Sequence, residues 1–266
     1  MKIAIIGFGN MGQTYANSFM SSGFVGTSDV LILNKTKIEE KNSFGIDATN
    51  CYTEPNPQIF ESDILILAVK PQDFKQLASE IKAFLNPEHV VLSVMAGISI
   101  DMMQKQLGVT KIVRSMPNIP TQIGEGMTVF CASNAVDRKE LFIVQNLINT
   151  TGKSIYIERE EMLNAATAIS GSGPAYVFHF MQAMIESAIK LGFSASEADF
   201  LVSKTFLGSV QLQNRSTLSN EAWIQRVASK GGTTEAALTV FSQKKLKENI
   251  IEGIEAANAR AVEFGT

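Results

Sequence analysis

The chain is poor in the residues that build most catalytic centres. Its 266 residues include two cysteines, two histidines and one tryptophan. Cys51 and Cys131 are too few to staple a chain of this size, which points to a reducing compartment and predicts a cytoplasmic protein. His89 stands in a loop after Pro87. His179 lies inside an apolar helical stretch, where the expected reading is a core histidine with a satisfied ring. No HExxH, CxxC or GxSxG pattern occurs, so neither a metal site nor a covalent nucleophile is expected. An excess of one charge is lacking too. The 23 Lys and Arg against 26 Asp and Glu leave a net charge of −3 with no basic stripe, and nucleic acid is not expected as a partner. Long hydrophobic runs are also missing. Residues 3–6 are too short for a leader segment, and 175–189 are interrupted by Glu186 and too short to span a bilayer. No membrane partner is expected.

What is present is an ordinary globular mix, 45% apolar and 18% charged, in a chain long enough for two domains with their own cores. Short β-branched runs occur at residues 2–6, 30–33, 63–68, 90–94, 111–114, 127–131 and 154–157, with a weaker one at 48–51. Helical periodicity lies between several of them, as at 11–20 and 72–84. That alternation predicts an α/β doubly wound sheet, largely parallel. Beyond residue 158 the strand signals stop. Helices are predicted over 161–169, 174–191, 197–212, 221–228, 234–241 and 245–264. The expected division is therefore a sheet domain over 1–158 and an all-helical domain over 159–266. The helix from Pro174 is apolar around most of its circumference, and so small a helical domain offers little interior to bury it. A second copy of the chain is the expected cover, which predicts an obligate dimer.

Gly7-Phe8-Gly9-Asn10-Met11-Gly12 follows the first strand and opens the first helix. In that setting Gly7 permits a tight turn, Gly9 lets backbone amides approach a pyrophosphate, and Gly12 allows close helix–strand packing. A strand–turn–helix that merely needs flexible residues is the plainer alternative. The second strand ends in Asn34-Lys35-Thr36-Lys37, where NAD-specific folds carry an acidic residue for the ribose hydroxyl. No carboxylate stands there. Two ammonium groups and a hydroxyl suit a 2′-phosphate, so NADP is the expected cofactor, with NADPH preferred over NADH. Two more strand ends, Ala68-Val69-Lys70-Pro71 and Met95-Ala96-Gly97, should face the same crevice, either as part of the cofactor site or as loop punctuation.

Ser229-Lys230-Gly231-Gly232-Thr233-Thr234 immediately precedes a helix. Successive amides at a helix start suit a carboxylate, and the Thr hydroxyls can also serve as helix caps. Hydride transfer to an electrophilic C=N bond needs positioning and a dry pocket, not a metal or nucleophile.

With these residues in view, the chain resembles the pyrroline-5-carboxylate reductase family over essentially its full length. The likeness rests on GFGNMG at 7–12, AVKPQ at 68–72, Met95-Ala96-Gly97 and RSMPNIP at 114–120. The most specific parts are SGSGPAY at 170–176 and GGTT at 231–234. The resemblance implies a Rossmann domain followed by a helical dimerisation domain, dimers that assemble further, and NADPH-dependent reduction of Δ1-pyrroline-5-carboxylate to proline. It also implies that Ser229, Gly231, Gly232, Thr233 and Thr234 hold the substrate carboxylate, with Glu160 at the pocket and the Thr234 hydroxyl reaching the ring nitrogen as the catalytic group. The nicotinamide would lie near Val69, Lys70, Pro71, Ala96 and Gly97, with 114–120 shaping the floor of the crevice. The family usually carries Pro where Lys230 stands, Asp where Asn164 stands, and His-Pro where Ser219-Asn220 stands. These departures leave a five- or six-membered imino acid open. Two other readings compete. A β-hydroxyacid dehydrogenase would need a lysine on a second-domain helix, yet none occurs between Lys153 and Lys190. A non-catalytic NADP-binding paralogue of regulatory role would be favoured by loss of Thr234 or the glycine pair, and both are present.

Overall fold

Four short strands, β1 (Ile3–Ile6), β2 (Val30–Leu33), β4 (Ile64–Leu67) and β5 (Val90–Ser93), are buried along their whole length. Strands covered on both faces read as continuous apolar runs rather than alternating ones, which is why these segments are so uniformly aliphatic. In the computed structural model, which describes residues 1–38 and 45–264, they form the centre of an eight-stranded sheet. Its other members are β3 (Cys51–Tyr52), β6 (Ile112–Met116), β7 (Gly126–Ala132) and β8 (Gly152–Tyr156). The order is β3-β2-β1-β4-β5-β6-β7-β8, parallel throughout except for the β6–β7 pair. This is the doubly wound arrangement with its switch point beside β1, where a ligand crevice belongs.

One core face gathers Leu65, Phe74, Met103 and Ile112. The other gathers Tyr15, Phe19, Phe130 and Leu147. The covering helices are α1 (Asn10–Ser21), α2 (Phe74–Ile81), α3 (Ile100–Leu107) and α4 (Arg138–Asn149). Local chemistry sets their ends. The Ser99 side chain accepts from the Met102 amide at the start of α3, Gly108 closes it at φ 77°, and Asp137 with Glu140 forms a capping box on α4. The expected helix over 72–84 is shorter, because one-turn 3₁₀ segments, Pro71–Asp73 and Lys82–Phe84, flank α2. The weak strand expected at 48–51 is a 3₁₀ turn, Ala48–Asn50, leading into β3.

The helical part comprises α5 (Met162–Ala166), a π turn (Thr167–Gly171), α6 (Gly173–Lys190), α7 (Ala195–Asn214), α8 (Asn220–Val227), α9 (Thr233–Gln243) and α10 (Leu246–Phe264). The chain divides into two compact units, Met1–Ser172 with the segment from Ala257 onward, and Gly173–Ala256. The first unit thus runs past the boundary expected at residue 158. Leu163 of α5 is buried in the sheet's core, and the Asn118 side chain donates to the Ser170 carbonyl at 3.1 Å, so this stretch packs with the sheet.

Within the second unit α6 has no buried residue, and Phe178, Met184 and Leu191 are exposed. His179 is exposed as well, correcting the core-histidine reading for the single chain. It lines an apolar groove of about 790 Å³ with Phe180, Met184, Phe241 and Ile250. No described helix is long and apolar enough to cross a membrane.

Candidate active site

The three glycines of the first loop answer to different constraints. Gly7 lies at φ +94°, and a Cβ there would sit 2.8 Å from the Ala68 carbonyl and Val69. A Cβ on Gly12 would stand 2.1 Å from the Gly7 carbonyl oxygen. The fold itself demands both. Gly9 is different: its backbone is extended, and an added Cβ would meet no protein atom within 4 Å. No contact among the described residues requires a glycine there. Gly9 is the N-cap of α1 and supplies no side-chain cap, which makes the first-turn amides suited to an anion such as a pyrophosphate. Asn10 is exposed beside them, whereas Met11 packs against the core and Phe8 is buried.

A crevice of about 260 Å³ opens at the ends of β1, β2 and β4, lined by Gly7, Phe8, Gly9, Asn34, Lys35, Ala68, Val69 and Lys70 among others. Asn34 holds its wall together. Its Oδ1 accepts from the Phe8 amide at 2.9 Å, and its Nδ2 donates to the Thr36 carbonyl at 2.9 Å and Thr36 Oγ1 at 3.2 Å. Thr36 and Lys37 line an adjoining hollow of about 1000 Å³, with Asp47, Cys51, Tyr52 and Thr53, the last of which also lines the crevice. The two lysines expected to act together line neighbouring hollows that share Thr53. Lys35 reaches Asp73, its Nζ lying 3.4 Å from Oδ1. Sequence reasoning missed Asp73, although it stands two residues past Pro71 in a segment already singled out. Pro71 opens the 3₁₀ turn from its first position. Of the β5 turn, Met95 is buried, Ala96 exposed, and Gly97 left-handed at φ +75°.

Arg114 on β6 is buried, and its guanidinium donates to Glu160 Oε1 at 2.7 Å. The Ile100 amide at the start of α3 donates to the same oxygen at 2.8 Å. One carboxylate thus ties β6, α3 and the approach to α5 together, so Glu160 is already engaged within its own unit. Burial, and behind it the Glu160 charge, pushes the Cys131 thiol up to about 12, which keeps it protonated and out of nucleophilic chemistry.

In the second unit the loop before α9 is tight. Gly231 is left-handed at φ +75°, the Gly232 amide donates to the Ser229 carbonyl at 3.0 Å, and a Cβ on Gly232 would meet Ser229 Oγ at 2.6 Å. The turn alone accounts for the glycine pair. It does not account for the threonines. The N-cap of α9 is Gly232, no side chain caps the helix, and Thr233 and Thr234 are its first two residues. Glu235 accepts from the Gly231 amide at 2.7 Å, leaving the amides of Thr233 and Thr234 at the helix start. The threonines are not the caps; they open the helix, where the amides are suited to an anion.

Residues 160–264 match the family described as pyrroline-5-carboxylate reductase dimerisation, which supports a homo-oligomer. Residues 2–97 match the family described as NADP oxidoreductase coenzyme F420-dependent. The pyrroline-5-carboxylate reductases of Staphylococcus epidermidis and Aquifex aeolicus are each 31% identical, over 266 and 263 residues. These alignments cover 99% and 98% of this chain and 98% and 96% of theirs. Among solved structures, a pyrroline-5-carboxylate reductase from Coxiella burnetii matches with a TM-score of 0.89 at 30% identity. The Plasmodium falciparum pyrroline carboxylate reductase with NADP bound matches at 0.90 and 27%. Both matches cover 100% of this chain and 98% of the other. Identity sustained over the whole length, together with the glycine loop and the threonine-led start of α9, places the chain in the pyrroline-5-carboxylate reductase family.

Proposed function

We propose that this protein reduces the C=N bond of Δ1-pyrroline-5-carboxylate with NADPH, giving L-proline as the last step of proline biosynthesis in the cytoplasm. The observation that carries the reading is the start of α9, where two threonines adjoin amides and the helix is capped by glycine instead. Bound NADPH supplies the hydride. Gly9 and the first amides of α1 hold its pyrophosphate, Lys35, Thr36 and Lys37 serve the 2′-phosphate, and the turns at 68–71 and 95–97 receive the nicotinamide. The substrate carboxylate is held by Ser229, by the amides and hydroxyls of Thr233 and Thr234, and by the glycine turn that shapes the loop. The Thr234 hydroxyl orients the ring nitrogen, whose protonated form accepts hydride best. Hydride adds to the imine carbon, the C=N π pair goes to nitrogen, and the product is a neutral secondary amine that takes a proton in water. The family resemblance assigns Glu160 to substrate binding as well, and its Oε1 is held by Arg114 and the Ile100 amide. The exposed apolar face of α6 is covered by a second chain, and such dimers assemble further.

The absence of lysine between Lys153 and Lys190 speaks against a hydroxyacid dehydrogenase. Retention of Thr234 and the glycine pair speaks against a purely regulatory paralogue. The test is NADPH oxidation by purified protein with pyrroline-5-carboxylate, run beside the six-membered homologue. Turnover of the five-membered ring at the higher kcat/KM is the expected result. Dinucleotide binding without turnover of either ring would replace this reading with the regulatory one.

A further inference from the structure

The end of β2 lacks a carboxylate of its own, yet the fold delivers one. Asp73 comes from 38 residues further along the chain, and its Oδ1 lies 3.4 Å from Lys35 Nζ. The sheet order sets β1 between β2 and β4, so this pair links the segments that follow the two strands flanking the glycine loop. Both residues line the same crevice, whose other charged members among the described residues are Lys70 and Glu80. Asp73 ends the 3₁₀ turn that runs straight into α2, and its backbone is helical at φ −87° and ψ −12°, so its carboxylate is not a helix cap. Its carboxylate faces the crevice cation.

We propose that Asp73 is a specificity-determining residue for the dinucleotide, tempering the NADPH preference conferred by Lys35 and keeping NADH usable. The proposal rests on the reading that Lys35 serves the 2′-phosphate. A carboxylate paired with that lysine partly neutralises it and repels a phosphate drawn to the same spot. NADH carries a neutral 2′-hydroxyl, which an aspartate accepts from rather than repels. In NAD-specific folds the acid comes from the end of β2; in this chain it comes from the turn after β4.

The test measures NADPH and NADH dissociation constants by titrating the purified protein at low ionic strength. Wild type is compared with Asp73→Asn, Lys35→Ala and the double variant. Asn keeps the size of the side chain, and Asp73 caps nothing, so the fold is retained. Both partners are exposed, which limits the coupling, so Asp73→Asn is expected to tighten NADPH about two- to five-fold. NADH should be unchanged or slightly weakened. The gain should disappear in the Lys35→Ala background, as a double-mutant cycle reads out. Equal changes for both cofactors, weaker NADPH binding, or a gain that survives without Lys35 would overturn the proposal. Loss of NADPH affinity in Lys35→Ala with no gain in Asp73→Asn would overturn it while leaving the 2′-phosphate reading intact. Failure of wild type to bind NADPH would overturn both.

Discussion

Replacing Gly9 and Gly12 by alanine, one at a time, separates what the fold needs from what the ligand needs. At Gly12 the new methyl carbon would lie 2.1 Å from the Gly7 carbonyl oxygen, a backbone atom pinned by the Gly7 amide's 2.8 Å hydrogen bond to Leu33. Overpacking against a backbone that cannot yield costs about 1–3 kcal/mol. For a chain of this size that corresponds to a fall in Tm of about 3–10 °C. At Gly9 the methyl meets nothing within 4 Å, and φ −78° suits any residue. The ligand-free protein should therefore keep its Tm, or gain up to about 1 kcal/mol because the unfolded chain is stiffer. On the proposed reading, the same methyl stands where the pyrophosphate approaches the amides. Losing charge-assisted hydrogen bonds there costs about 1.5–3 kcal/mol, so NADPH affinity should fall at least roughly tenfold. Thermal melts without ligand and NADPH titrations of both variants supply the comparison. A Gly9→Ala protein that binds NADPH like wild type, or that melts as low as Gly12→Ala, would refute the assignment of Gly9 to the ligand.

Other perturbations act elsewhere in the molecule. Thr234→Ala should lower kcat and kcat/KM together by about 10²–10⁴-fold with NADPH affinity unchanged, and Thr234→Ser should restore much of the rate. Because Gly232 is the cap, neither variant should lose the stability of a missing cap, and a thermal melt checks this. Glu160→Ala leaves the buried Arg114 guanidinium without its partner and should cost about 3–5 kcal/mol in denaturant unfolding, whereas Glu160→Gln keeps an acceptor for the Ile100 amide and should cost less. Met184→Glu puts a charge on the apolar groove of the second unit and should yield dissociated or aggregated protein by light scattering, while an unchanged oligomer would remove this face from the interface.

Local signals decided much of this protein, and they were legible because each acts within a few residues. The aliphatic runs named the central strands, since a strand buried on both faces leaves no polar position to blur the pattern. Gly7 and Gly12 were readable because turn geometry and helix packing are set by immediate neighbours. The motifs at 7–12, 170–176 and 231–234 carried the family by type and spacing alone. Contacts between distant segments decided the rest. Whether Thr233 and Thr234 cap α9 depended on which residue became the N-cap, a choice made by the backbone of the Gly231 turn. Glu160 is engaged by an arginine 46 residues away, and Ser170 is held by Asn118, which moved the unit boundary past residue 158. The acid facing Lys35 came from the turn after β4, because the order of strands in a sheet, not the order of residues in the chain, sets which charges meet across a crevice.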